Sequence, residues 1–210
     1  SVRYLCPTSE ALQFLPDAEP PKPGDQVLVA LWPYEEAGDV LALLPPDRLV
    51  TVREGARERG DLEAESRLLY VTWQTAPKST APYNLSIPWE EGIELAGYRL
   101  DETAPETLAV SLFWRAEAPT DRSYTVFTHA LCGEAPVGQH DGPPAYGWYT
   151  TDRWRPGDLI EDRHEIALVA PYDRTKCRVL VGLYRLDTME RLQIVTKGGA
   201  PSGATTVALQ

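Results

Sequence analysis

From position 93 onward the chain carries short apolar runs, many of them alternating with polar residues, separated by turn residues. IELAGYRL, TLAVSLFWRA, SYTVFTHAL, DLIEDRHEIALV, CRVLVGLYRL and RLQIV follow one another, with APETL, EAPTDR, GEAPVG, APYDRTK and DTME between them. This spacing predicts the strands of a sandwich. In TLAVSLFW a period of two sends Leu108, Val110, Leu112 and Trp114 to one face. Ala109, Ser111, Phe113 and Arg115 go to the other. TTVALQ at the end reads as a final edge strand. About seven or eight antiparallel strands make a sandwich or jelly roll the economical architecture.

The earlier part of the chain mixes periods. SEALQFL (Ser9–Leu15) opens on a good N-cap and has helical spacing, and the Pro-rich PDAEPPKPGD then reads as a linker. QVLVALW (Gln26–Trp32) is a continuous apolar run, the pattern of a strand buried on both faces. EEAGDVLALL (Glu35–Leu44) reads as a short helix stopped by the following Pro pair. RLVTV and RLLYVTW are further strands, and the charged EGARERGDLEAES between them reads as a helical turn. Together they predict a small α/β layer with a largely parallel sheet. The expected fold is α+β: an α/β domain over residues 1–88 and a β-sandwich domain over 89–210, joined through APYNLSIPWEEG.

Composition narrows what such a chain does. A net charge of −11 argues against nucleic acid and against docking on anionic lipid. No apolar run reaches the roughly 18 residues of a membrane-spanning helix, and no signal peptide is visible. The chain therefore reads as a soluble piece, and its start at Ser1 suits a portion excised from a longer protein. Dinucleotide and phosphate loops need glycines after the first strand, but LVALWPYEEAGD offers Trp, Pro and Tyr there. The NLS triplet at 84–86 is a formal glycosylation sequon to which no function is attached. Cys6, Cys132 and Cys177 have no metal-ligand spacing. A Cys132–Cys177 disulfide suits an oxidising compartment, but three buried thiols are the favoured expectation.

Several pieces of the second half, GYRL, LFWRAEAP, YTVFTHAL, GQHDGPP, WRPGDLIEDRHEIAL and VGLYRLDTMERL, occur in a familiar order. The chain here resembles the C-terminal extracytoplasmic region of bacterial membrane glycosyltransferases of the dolichyl-phosphate-mannose protein mannosyltransferase family. A weaker likeness, around PGD before an apolar strand, extends into the first half. The resemblance implies a non-catalytic accessory domain on the extracytoplasmic face of the bacterial membrane, a galactose-binding-like sandwich beside its own membrane-embedded domain. It implies a glycan or lipid-linked sugar as partner and carries over no catalytic residue. The family pattern often has an aromatic where this chain has His164.

The candidate site lies in HDGPPAYGWYTTDRWRPGDLIED, residues 140–162. Tyr146, Trp148, Tyr149 and Trp154 are candidates for stacking on pyranose faces, with Asp141, Asp152 and Gln139 taking the hydroxyls. Against this stands a structural corner, in which Pro156 and Gly157 turn the chain and Trp154 plugs the sandwich. Alternation puts Asp162 on the inner face with Ile160, His164 and Ile166, where a carboxylate must be paired. His164, Arg155, Arg122 and the Trp154 indole are its candidate partners. It reads either as a polar staple or, with Asp141, as a calcium ligand; no other cofactor is expected. His129, His140 and His164 have no recognised metal spacing, and neither HExxH nor GxSxG occurs. No catalytic residue is assigned; the alternatives to a binding module are an interaction sandwich without a ligand and a glycoside-active enzyme.

Overall fold

The computed structural model describes residues 21–22, 24–33, 37–60, 65–104, 106–196 and 198–210. In chain order it runs β1 (Leu28–Leu31), α1 (Ala37–Leu43), β2 (Leu49–Glu54), β3 (Arg57–Glu58), β4 (Arg67–Leu68) and β5 (Val71–Ala76). Then come β6 (Ile87–Pro88), β7 (Ile93–Ala104), β8 (Thr107–Ala116), β9 (Thr125–Cys132) and β10 (Ala135–Gly142). β11 (Leu159–Ala167), β12 (Cys177–Tyr184) and β13 (Val207–Leu209) complete it. The expected helix Ser9–Leu15, most of the Pro-rich linker and Cys6 lie outside the described residues.

Two sheets face each other. The larger has the order β1-β5-β2-β11-β8-β7-β6 and the smaller β10-β9-β12-β13. Alternation decides what fills the space between them. β8 and β11 send Val110, Leu112, Trp114, Ile160 and Ile166 inward, to meet Val126, Ala130, Val179, Val181 and Leu183 from β9 and β12. Burying such aliphatic and aromatic side chains contributes roughly 1.5–3 kcal/mol each. This is the expected β-sandwich, and TTVALQ supplies its edge strand β13.

The first half departs from the expected layer. β5 pairs antiparallel with both β1 and β2, and the only parallel pairing among the described strands joins β2 to β11. β1, β2 and β5 therefore extend the larger sheet. QVLVALW is not buried on both faces: β1 is the sheet's edge, with Leu28 and Trp32 exposed. β3, inside the segment expected as a helical turn, pairs with β4, the start of the RLLYVTW expected as a strand. The short helix does form, as α1.

The outer face of the larger sheet is also partly covered. Residues 77–86 cross it, with Ala81 packed against Leu49, Ala96, Phe113 and Leu159. Asn84 accepts from the Tyr98 amide at 2.9 Å and donates to its carbonyl at 3.2 Å. Gly97 permits this approach, because a Cβ there would lie 1.8 Å from the Pro82 carbonyl oxygen. Phe113, assigned by alternation to the face opposite the core, is buried for this reason.

Candidate functional site

The 140–162 stretch is built from a strand end, two 3-10 turns and a strand start. β10 ends at Gly142, turns follow at Pro144–Gly147 and Thr151–Arg153, and β11 begins at Leu159. Ala145 and Tyr146 both have positive φ (51° and 59°), as does Gly147, so the chain reverses sharply there. Side chains that satisfy one another hold this reversal in place.

Asp158 is the centre of that network. Fully buried, its carboxylate accepts from the Asp47 amide at 2.9 Å, the Tyr149 hydroxyl at 2.9 Å and Arg155 Nε at 2.9 Å. Arg155 continues to the end of α1, where it donates to the carbonyls of Leu41 and Leu44, each at 2.8 Å. A helix C-terminus leaves such carbonyls without partners, and a guanidinium fork suits them in shape and charge. Trp154 donates its indole N–H to the Tyr149 carbonyl at 2.9 Å. The Tyr149 ring packs on Trp73 with centroids 5.3 Å apart. Burial and the Asp158 carboxylate push the Tyr149 phenol far above its ordinary pKa. The WRPGD segment thus joins α1, β5 and the start of β11 in one corner.

The residues named from sequence are distributed as follows. Tyr149 and Trp154 are buried and their rings face the core. Trp148 is half-buried, packs against the core and donates to Glu54 Oε1 at 3.4 Å. Tyr146 is 39% exposed and its phenol is raised, chiefly by burial, with Arg53 and Arg163 pulling the other way. Asp152 is exposed. Asp141 binds His129 and Tyr184, each at 3.2 Å. Of the four aromatics only Tyr146 and part of Trp148 reach solvent.

Asp162 is a buried staple with three donors. Its Oδ1 accepts from the Ala145 amide at 3.0 Å, and its Oδ2 from His164 Nε2 at 2.8 Å and Trp114 Nε1 at 3.2 Å. His164 was among the partners expected; the indole is that of Trp114 rather than Trp154, and Arg155 is committed to Asp158. Asp141 and Asp162 bind separate sets of donors. Among the described residues no three His, Cys, Asp or Glu side chains form a group able to hold a metal.

The sequence reading missed Asp158 and the capping role of Arg155. The signal was the Pro-Gly turn placing Asp158 immediately before an apolar strand, where its carboxylate must enter the protein. His140 was also unassigned; its Nδ1 lies 2.8 Å from His164 Nδ1. Compared with models of known families and with curated protein sequences, the chain matches none.

Proposed function

We propose that this chain is an extracytoplasmic accessory β-sandwich of a larger membrane glycosyltransferase-like protein, working by contact with its own membrane-embedded domain rather than by catalysis. One observation supports contact over sugar capture: the aromatic and acidic residues of 140–162 are largely spent on internal bonds, with Tyr149, Trp154, Asp158 and Asp162 all buried. The likeness of WRPGD and GQHDGPP to that glycosyltransferase region supports the setting. The Cys132–Cys177 disulfide suits an oxidising compartment. A carbohydrate-binding reading is favoured only by Tyr146 and the half-buried Trp148, side by side with Arg53 and Glu54.

A glycan-array screen of the chain beside a Tyr146→Ala, Trp148→Ala double variant separates the two. The contact reading expects no glycan retained by either protein. Retention by the native chain that the double variant loses, with both equally folded, would replace it with carbohydrate binding.

A further inference from the structure

The Asp162–His164–His140 chain runs from the buried face of one sheet to the exposed edge of the other. Asp162 and His164 are each 1% exposed and lie on β11 of the larger sheet. His140 lies on β10, the edge of the smaller sheet, and is exposed. The two imidazoles meet at 2.8 Å between Nδ1 atoms, with rings 68° apart. A nitrogen pair at that distance holds one proton: one nitrogen donates and the other accepts. Because Asp162 takes the Nε2 proton of His164, its Nδ1 is the acceptor and His140 Nδ1–H the donor.

We infer that His140 and His164 form a proton-operated clasp between the two sheets, closed while one proton lies between their Nδ1 atoms and opened when both rings are protonated. The first proton from solvent is tolerated. It enters at His140 Nε2, the Nδ1 proton of His140 passes to His164 Nδ1, and the resulting imidazolium faces the Asp162 carboxylate. The bond survives with its direction reversed. A second proton leaves two N–H donors opposed, with two cations beside one buried carboxylate, and neither ring can accept.

The surroundings do not relieve that conflict. β11 brings Asp162, His164 and, further off, Glu165 toward His140, and β10 itself brings Asp141, which is bonded to His129 and Tyr184. β9 offers the Thr128 hydroxyl, which donates to the His140 carbonyl at 2.8 Å, and His129, which is taken up by Asp141. β8 offers the neutral Trp114 indole, and the turn after β10 the Ala145 amide, both already on Asp162. Burial, and then His164, hold the His140 pKa below its ordinary value of 6.5. The unfolded chain therefore takes up this proton more readily than the folded one, so stability falls as pH drops through that ordinary value. Opening would remove the tie between β10 and β11 and leave β10 held by its ladder with β9, so the edge strand loosens.

The test is imidazole nitrogen NMR on the native chain together with amide hydrogen exchange, corrected for intrinsic rates, from about pH 7.5 to about pH 5. The expected spectra show His140 protonated at Nδ1 and His164 at Nε2 at the higher pH. Protection of β10 amides should then fall severalfold relative to β8 on acidification, because burial and His164 make the closed state a weaker proton acceptor than the open one. His140→Gln keeps an amide donor for His164 but takes up no proton, so its β10 protection should stay flat. Rings that titrate independently, native β10 protection that does not change, or an equal loss in His140→Gln would each overturn the clasp.

Discussion

Asp158 and Asp152 lie six residues apart and make opposite demands on the fold. Asp158 is buried with a guanidinium, a phenol and an amide on its oxygens, whereas Asp152 is exposed on a 3-10 turn. Removing one member of a buried, hydrogen-bonded charge pair leaves the other groups unpaired in low dielectric, at a cost of about 3 kcal/mol. Asp158→Ala should therefore lower the urea midpoint by that equivalent and also loosen α1, because Arg155 loses the anchor that aims it at Leu41 and Leu44. Trp154→Phe loses the bond to the Tyr149 carbonyl and part of a buried ring, for about 2 kcal/mol. Asp152→Ala should stay within about 0.5 kcal/mol of the native chain. Equal effects for the three, read from parallel urea titrations, would contradict the corner described for 149–158.

Among the elements, those with strict alternation were legible and those shaped by a neighbour were not. The faces of β8 and β11 follow directly from TLAVSLFW and LIEDRHEI, because both pack in the middle of the larger sheet with one face on the core. β10 escaped notice: it is an edge strand carrying Pro136 and Gly138 with a bulge between them, and GEAPVG reads as a turn. RLQIV makes only isolated bridges at Arg191, Ile194 and Val195, so its apolar pattern reflects packing of a loop rather than a ladder. β1 looked like a central strand because apolar content is the same at an edge, and neighbours supplied later in the chain decide the difference. For the same reason the pairing of β2 with β11, more than a hundred residues apart, leaves no local trace. The segment crossing the outer face makes a checkable demand on β7. Gly97→Ala would push a methyl group into the Pro82 carbonyl and should cost about 1–3 kcal/mol by overpacking. Its signature is faster exchange of the Leu85 and Tyr98 amides, which bond across that contact, with β9 and β12 unaffected.

On the scale of the whole molecule, the smaller sheet depends on a covalent link that composition left open. Cys132 and Cys177 stand directly opposite each other on β9 and β12 and are joined, so the expectation of three thiols fails for these two. Their positions explain the pairing: each sits at the end of a strand whose register the apolar residues already set, which brings the two sulfurs together without any sequence proximity. Closing a loop of 45 residues removes conformational freedom from the unfolded chain worth about 4 kcal/mol in the chain-entropy account. A domain of this kind has about 5–15 kcal/mol in total, so the link is a large share of its margin. Urea unfolding with and without a dithiol reductant, and of a Cys132→Ser, Cys177→Ser double variant, should show midpoints lowered by that equivalent with the strand signal of the folded state retained. An unchanged midpoint under reduction would mean that the two sheets hold without the bridge. The expected loss instead makes much of the fold's margin conditional on an oxidising environment: in a reducing one the smaller sheet would keep its register but lose much of its stability.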